Sequence, residues 1–281
     1  PFFFLSILRP PRSTLFPYTT LFRSRELPIC YVPGVLMGAT GPVTLAGGIV
    51  QANAEALSGI VLQQVRHKGA PIVSGWAVVP LDMKTKVYCY GAPDFRLTNT
   101  AFADIYHYYG IPCWSILGSD AHCLDQQAGF EHGIGLLMTA LDGANLIHDV
   151  GYLGQGLLGN PASIVMGDEI ISYVKRILRG FEISRETLAV EIMKKVGPGG
   201  DFFSQDHTLK NFKQELWRPS LINRDPPDRW QKKGGKTYGE RCAEKAKDMI
   251  KNHKGTHLSE PIQVKLNNIA KEAEEKLKDF K

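Results

Sequence analysis

The sequence predicts an α/β fold built on a parallel β-sheet, and three observations support this prediction. Four near-continuous apolar runs alternate with helical patterns between residues 27 and 180, as expected for parallel strands that are covered on both faces. The polar, glycine-rich stretches lie after the strands, which in a (β/α) barrel is the edge that carries the active site. Doubly wound and barrel folds both fit this alternation. No strand leads directly into Gly-x-Gly-x-x-Gly and a helix, so a dinucleotide-binding site has no support.

Each strand and helix is justified by its own local signals. The first predicted helix has small residues on its packing face, and glycines follow the next three helices. Pro161 stands near the first turn of the fourth helix, where the missing N–H costs nothing. The predicted strands span residues 29–37, 71–76, 111–117 and 144–151, and the predicted helices span residues 45–67, 94–110, 125–143 and 161–180.

The pattern changes along the rest of the chain. A fifth helix is predicted at residues 184–197, with Ser184 as its N-cap and Glu186 in its first turn. Residues 215–230 are irregular and broken by prolines, and two amphipathic helices follow near residues 239–253 and 261–280. Their charge runs are interpreted as solvated faces. We divide the chain into a leader (1–24), an α/β domain (25–237) and a C-terminal helical segment (238–281).

Composition excludes several classes of protein. The chain has 281 residues, of which 43% are hydrophobic and 22% charged, enough for one large core or two modest domains. The net charge of +5 is not organised as a basic stripe with interleaved aromatics, so nucleic-acid binding is not expected. No uninterrupted apolar run of about 18 residues follows residue 24, so no membrane span is expected. Five cysteines without a Cys-x-x-Cys pair favour the reducing cytoplasm.

Polar side chains that could carry chemistry are clustered after the predicted strands. Ser119, Asp120 and Gln127 follow the third strand, and Asn145 and His148 lie at or near the end of the fourth. A glycine-rich loop farther on and five aromatic residues add to these candidates. The further candidates are His122, Cys123, Asp125, Asp149, Asp201, Asp206, His207, Tyr106, Tyr108, Tyr109, Trp114 and Tyr152.

Several interpretations of these residues are open from pattern alone. His122, Cys123 and His148 could bind zinc with one open position, although adjacent ligands fit a single ion poorly. Cys123 could be a nucleophile assisted by a histidine. The structural alternatives are a core histidine at His148, an N-cap at Asp120, and simple helix packing for the tyrosines. Composition and spacing therefore indicate a barrel-like α/β enzyme without naming its reaction.

Four separated segments, in the same order, resemble the trimethylamine methyltransferase family. They are GPVTLAGGIVQANAEALSGIVLQQ, GSDAHCLDQQAGFEHG, LDGANLIHDVGYL and ETLAVEIMKKVGPGGDFFSQDHTL. The resemblance extends from about residue 27 to the C-terminus. It implies a corrinoid-dependent methyltransferase on a (β/α)8 TIM-type barrel. Because family members are much longer on the N-terminal side, it also implies that this chain holds a partial barrel, the C-terminal half, with C-terminal helices.

The residue before the Ser-Asp-Ala motif separates two branches of that family. Trimethylamine enzymes carry pyrrolysine there, whereas this chain has Gly118. The chain therefore resembles the branch without pyrrolysine, whose known substrates are quaternary amines such as glycine betaine. The resemblance implies that the methyl acceptor is Co(I) of a corrinoid carried on a separate cognate protein. It implies no tightly bound metal in this chain, and a homo-oligomer for the full-length form.

The resemblance and the aromatic residues together suggest roles for the candidates. Asp120 and His148 are the candidate catalytic residues. Trp114 and Tyr152 are expected to form a cage around the cationic nitrogen, and amides and histidines are expected to contact a substrate carboxylate or the corrinoid. The candidate substrate-binding residues are Trp114, Gly118, Gln127, Asn145, Tyr152 and His207.

The first residues raise a separate question. The stretch LFPYTTLFRS at residues 15–24 is the translation of DNA that resembles a common sequencing-library adapter, so we expect residues 1–24 to be non-native. An incomplete barrel would expose strand edges and apolar surface, and we expect such a chain to be poorly stable or to associate. Two other functions are weighed, a zinc-dependent barrel lyase or methyltransferase and an inactive relic that binds a corrinoid protein.

Overall fold

A computed structural model describes residues 28–75, 78–255 and 258–278. The expectations for residues 1–24 lie outside this part of the chain. Two compact units divide after Lys245. The strands are β1 (Ile29–Tyr31), β2 (Val35–Met37), β3 (Ile72–Gly75), β4 (Val78–Pro80), β5 (Cys113–Ile116), β6 (Leu146–His148), β7 (Tyr152–Leu153) and β8 (Leu158–Gly159). The helices are α1 (Leu45–Arg66), α2 (Pro93–Tyr109), α3 (Gln126–Leu141), α4 (Pro161–Arg179), α5 (Arg185–Leu188), α6 (Val190–Val196), α7 (Asp206–Glu215), α8 (Pro227–Lys232), α9 (Tyr238–Asn252) and α10 (Glu260–Lys278).

The central sheet confirms the predicted α/β class. Its four strands are parallel and lie in the order β1-β3-β5-β6. The β2–β4 pair is also parallel, and it keeps the register of β1–β3, because Ile29 pairs with Ile72 and Val35 pairs with Val78. A helix stands between successive strands of the four-stranded sheet. Within this sheet each strand pairs with the member that follows it in chain order, and the carboxyl ends of its four strands lie at one edge.

Some predicted elements have different limits in the structure. The single strand predicted at residues 29–37 is two strands, because Pro33 in the short link has no N–H to donate to a ladder. The helix predicted at residues 184–197 is divided into α5 and α6 at Ala189, whose φ is +51°. Its predicted cap is confirmed, since Oγ of Ser184 accepts a hydrogen bond from the N–H of Thr187. The glycine-rich stretch after β6 forms the β7–β8 hairpin.

The packed layer between the sheet and the first two helices is the main core. Phe102 and Tyr106 of α2 are fully buried against Cys113 of β5, together with Val35 and Val78. Small residues let α1 approach the strands, as the sequence predicted, and a Cβ on its Gly59 would overlap the ring of Tyr31. The buried residues on this face of α1 are Gly48, Ala52, Ala56 and Gly59.

The other face of α1 is apolar and exposed. In the described ranges α1 is the one helix that meets the length and composition expected of a membrane span, although its small-residue face packs on strands as in a core helix. Val50, Val61 and Val65 lie on the exposed side, and Val65 is 82% exposed. An apolar helix face of this kind favours association with another surface.

We predict that this face makes the 281-residue chain self-associate. Replacing Val61 and Val65 by Glu places two charges on the exposed side of α1, so the double variant is expected to sediment with a smaller average mass than the parent. Phe181→Glu is the matched control, since Phe181 is 77% exposed but lies outside α1. Identical sedimentation profiles for the parent and the double variant would show that α1 does not drive association.

A buried carboxylate attaches the proline-broken segment to α4. Glu169 on α4 is 5% exposed. It accepts hydrogen bonds from the N–H groups of Ser220, Leu221 and Ile222 at 2.8, 2.9 and 3.2 Å, and another from the Ser220 hydroxyl. Burial acts to raise the pKa of Glu169, but these hydrogen bonds outweigh it and the pKa is lowered. One side chain of α4 therefore holds residues 220–222, within the segment that the sequence indicated as irregular.

Candidate functional site

Three loops meet at the carboxyl edge of the sheet. They are the loop between β4 and α2 (residues 81–92), the loop between β5 and α3 (residues 117–125) and the hairpin after β6. The N–H of Leu117 donates to the carbonyl of His148 at 3.0 Å. The N–H groups of Gly154 and Gln155 donate to Ala121 and Ser119 at 2.9 and 3.0 Å. The predicted candidates after β5 and β6 are therefore brought together.

Asp120 joins the first two of these loops. Its Oδ1 accepts a hydrogen bond from the N–H of Tyr90 at 2.7 Å, and its Oδ2 accepts one from the N–H of Gly91 at 3.0 Å. Burial raises the pKa of Asp120, while the two backbone hydrogen bonds act to lower it. The interpretation of Asp120 as an N-cap is wrong, because Asp125 caps α3 by accepting from the N–H of Ala128.

Glu131 on α3 accepts hydrogen bonds from the Ser-Asp-Ala segment. One of its carboxylate oxygens accepts from the Ser119 hydroxyl at 2.5 Å and from the N–H of Asp120 at 2.7 Å. The other accepts from Nε2 of Gln127 at 2.8 Å. A Cβ on Gly91 would collide with this carboxylate, so Glu131 also limits the neighbouring loop. The predicted residue Gln127 thus reaches the site through Glu131.

Arg96 supplies the buried positive charge beside these two carboxylates. It lies on α2, is 3% exposed, and its guanidinium donates to the carbonyls of Ile116 and Gly118 at 3.0 and 3.4 Å and to the carbonyl of Tyr90. Burial lowers the pKa of Arg96 to about 10, against the opposing effect of Asp120 and Glu131. The guanidinium therefore stays charged at neutral pH and fixes both loops.

An aromatic contact joins the side chains of β5 and β6. The rings of Trp114 and His148 have centroids 4.2 Å apart at an angle of 55°. Nδ1 of His148 lies 2.6 Å from Oδ1 of Asp149. Asp149 has a φ of +61°, a conformation that non-glycine residues adopt rarely and that holds the carboxylate at the strand end.

Two tyrosines lie close together near Gly156. Tyr152 is 44% exposed. Its Cδ2 and the Cε2 of Tyr90 each lie 3.5 Å from the position of a Cβ on Gly156, whose φ is +82°. The two ring atoms are therefore at most about 7 Å apart. A Cβ on Gly118 would lie 2.5 Å from Cδ2 of Tyr90, so the Tyr90 ring fills the space above Gly118.

Two predicted residues lie elsewhere. Asn145 stands at the amino end of β6, where its Oδ1 accepts from the N–H of Cys113 at 2.8 Å. His207 is on α7, with Nε2 3.3 Å from the carbonyl oxygen of Glu186, and it lines a cavity of about 440 Å³ between α5, α6 and α7. Neither position is at the carboxyl ends of the strands, so the roles suggested for them stay predictions.

The zinc and nucleophile interpretations gain no support from the geometry. Across residues 28–75, 78–255 and 258–278, no three His, Cys, Asp or Glu side chains are grouped as ligands for a metal ion. His122 instead turns its Nδ1 to the carbonyl of Asp120 at 3.0 Å. A hydrogen bond with Asp125, and the charge of that carboxylate, raise the pKa of Cys123, which disfavours the nucleophilic thiolate.

Three residues of this site were missed by sequence reasoning. Tyr90 belongs to a loop without a motif, and Glu131 follows Gln127 by one helical turn. Arg96 did carry a signal, because a charged residue stands on the face of α2 that buries Phe95 and Asn99. A charged side chain on a buried helix face requires hydrogen-bond or ion-pair partners. The acidic residues after the predicted strands were the available candidates.

Comparison with known proteins identifies the family. The trimethylamine methyltransferase (MTTB) model matches residues 17–277. The trimethylamine methyltransferase MttB of Desulfitobacterium hafniense (strain DSM 10664 / DCB-2) is 34% identical over 250 residues, which are 89% of this chain and 50% of the relative. MttB of Methanosarcina barkeri (strain Fusaro / DSM 804) is 36% identical over 84% of this chain and 48% of its own length.

A relative with a different printed activity matches to a similar extent. The glycine betaine methyltransferase of Desulfitobacterium hafniense (strain Y51) is 33% identical over 234 residues, which are 83% of this chain and 49% of the relative. The chain spans about half the length of these curated relatives. By the extent of the family match and by these identities, the chain belongs to the trimethylamine methyltransferase (MTTB) family.

Proposed function

We propose that this chain is part of a longer methyltransferase that moves a methyl group from a quaternary methylammonium compound, such as glycine betaine, to the reduced cobalt of a corrinoid on a separate protein. The corrinoid is the methyl acceptor, and its cobalt supplies the nucleophile when it is reduced. The similarity to the glycine betaine methyltransferase supports this choice of substrate, as does the geometry around Gly118.

The observation that carries the proposal is the occupied space above Gly118. The resemblance places pyrrolysine at this position in trimethylamine enzymes. Here a Cβ on Gly118 would lie 2.5 Å from Cδ2 of Tyr90 and 3.1 Å from two further atoms of that side chain. A long side chain at residue 118 would therefore require the Tyr90 ring to move. An aromatic surface at this place suits a substrate that needs no electrophilic side chain.

The chemistry of the leaving group separates the two kinds of substrate. Cleavage of the C–N bond leaves the electron pair on nitrogen, so a quaternary ammonium releases a neutral tertiary amine. A tertiary amine would release an amide-like anion unless it were first protonated or captured. A quaternary substrate therefore depends mainly on being held and oriented, with its methyl group in line with the acceptor.

The strand-end residues offer what such a cation needs. Aromatic faces attract a quaternary ammonium by about 0.5–2 kcal/mol each, depending on desolvation, and we assign this role to Trp114 and Tyr152. The charged groups that we describe there include three carboxylates, of Asp120, Glu131 and Asp149, and the single guanidinium of Arg96. This excess of negative charge also favours a cation.

We further propose that the four-stranded sheet is half of a (β/α)8 barrel. The sequential order β1-β3-β5-β6 supports this, because a doubly wound sheet reverses its strand order at a switch point. A protein with about twice the length of this chain, as the relatives have, could supply the other strands. We call the gene product read to that length the extended protein.

The test uses the extended protein and its cognate corrinoid protein, reduced to Co(I). Methylation of cobalt is followed by absorbance with glycine betaine, a second quaternary amine and trimethylamine as donors. We expect methylation with at least one quaternary donor and none with trimethylamine. Methylation by trimethylamine alone, or by no donor while the two proteins still bind each other, would overturn the proposal.

We predict that Asp120→Asn lowers the rate of methyl transfer by about 10- to 100-fold, the range that a displacement of about 1 Å at a positioned site can produce. In Asn one of the two oxygens that accept from Tyr90 and Gly91 is replaced by an NH₂ group, which cannot accept a hydrogen bond. The loop carrying Tyr90 and Gly91 should therefore shift. Asp168→Asn is the control, since Asp168 is exposed on α4. A rate for Asp120→Asn within about twofold of the parent would contradict this role.

A further inference from the structure

Hydrogen bonds hold both the backbone N–H and the backbone carbonyl of Tyr90. Asp120 accepts from the N–H of Tyr90 at 2.7 Å and from the N–H of Gly91 at 3.0 Å, and Arg96 donates to the carbonyl of Tyr90. Arg96 also donates to the carbonyl of Gly118. One buried guanidinium and one carboxylate therefore fix Tyr90 relative to the segment that contains Gly118.

The ring of Tyr90 is equally confined. It stacks on Phe95 with centroids 5.4 Å apart at 16°, and it lies 5.3 Å from Tyr88. The ring also packs against the buried cluster of Val79, Phe95 and Ile116. It lies close to Gly118 and Gly156, on which no Cβ competes for space. Burial raises the pKa of Tyr90 to about 12, so the ring stays neutral at physiological pH. The aromatic ring is thus held at one fixed place beside two glycines.

We propose that Tyr90 is a specificity-determining residue of the methyl-transfer site, where its ring occupies the space above Gly118 and, with Tyr152 across Gly156, forms the aromatic wall that contacts a quaternary ammonium group. The identity of the ligand rests on the proposed function, whereas the packing of Tyr90 on Gly118 does not. Each part has its own measurement, made in the extended protein.

The packing is tested by a double-mutant cycle between Gly118→Ala and Tyr90→Ala, read as the midpoint of thermal unfolding. We expect Gly118→Ala to lower the midpoint in the parent, because the new Cβ meets the Tyr90 ring, and to lower it less when residue 90 is already Ala. An equal decrease in the two backgrounds would overturn the placement of Tyr90, whatever reaction the protein catalyses.

The contact with the ligand is tested by calorimetric titration with tetramethylammonium. Loss of one aromatic face should weaken binding by about 10-fold in Tyr90→Leu, whereas Tyr90→Phe, which keeps a ring, should bind within about twofold of the parent. Tyr108→Leu is the matched control, because Tyr108 is 87% exposed. Equal weakening by the Leu and Phe variants would show that the ring face is not the contact.

The outcomes separate this inference from the proposed function. Weaker tetramethylammonium binding in Tyr90→Leu, without methyl transfer from any quaternary donor in the parent, removes the proposed reaction and leaves the aromatic wall. Methyl transfer from a quaternary donor, with parental binding in Tyr90→Leu, removes the wall and leaves the reaction. Failure of the parent to bind tetramethylammonium at all removes the wall as a site for this cation.

Discussion

Replacement of Arg96 by Met is expected to lower the free energy of unfolding by about 3–5 kcal/mol, the range for removing one partner from a buried ionic network. Three carbonyls, of Ile116, Gly118 and Tyr90, lose their donor, and the carboxylates of Asp120 and Glu131 lose the nearby positive charge. Met fills a similar volume, so the loss should come from these groups and not from an empty cavity. Urea denaturation of the extended protein measures it.

Two variants make this expectation specific. Arg96→Lys keeps the charge but lacks the planar group that reaches several carbonyls, so an intermediate loss is expected. Arg229→Met removes the Arg229–Asp225 pair at 3.2 Å from a side chain that is 68% exposed, and it should cost less than about 1 kcal/mol. A loss below about 1 kcal/mol for Arg96→Met would mean that water replaces the guanidinium, and that Arg96 does not organise the strand ends.

The sequence was informative about elements and about the edge that they share. Apolar runs and caps depend on near neighbours, and these signals correctly located the strands around residues 113–116 and 146–148, and the cap at Ser184. The same signals placed Asp120 and His148 after strands. Because parallel strands end at one edge, their proximity could be expected before any distance was known.

The remaining part of the site depends on contacts between distant segments. Tyr90 meets Asp120 across 30 positions, and Arg96 meets Gly118 across 22. No periodicity in either segment specifies which loop the other will contact, so Asp120 could equally have been a helix cap. Asn145 shows a second limit of sequence patterns. It belongs to the segment predicted as the fourth strand, but it lies at the amino end of β6 and not at the carboxyl end. To place a residue along a strand, the pairing register must be known as well as the apolar pattern.

Replacement of Glu169 by Gln is expected to destabilise the protein by about 2–4 kcal/mol at pH 7, since hydrogen bonds to a charged group contribute about 1.5–3 kcal/mol each and several are weakened together. The carboxylate accepts four donors from Ser220, Leu221 and Ile222. An amide presents one oxygen to them and turns an NH₂ group toward the rest. The free energy of unfolding from urea titrations measures the difference.

The pH dependence of that difference identifies the charge as its source. The pKa of Glu169 in the folded protein is lowered from the ordinary value of 4.5, so the folded state favours the carboxylate. Its contribution is therefore fully present above about pH 4.5 and is lost as the pH falls through the folded-state pKa. The free energies of unfolding of the parent and Glu169→Gln should differ by a constant amount from pH 7 to about pH 5 and converge at lower pH.

Glu191→Gln is the control, at a carboxylate that is 71% exposed, and its free energy of unfolding should stay within about 0.5 kcal/mol of the parent's. A parent–variant difference that is unchanged down to pH 3 would assign the effect to side-chain packing and not to the bound carboxylate.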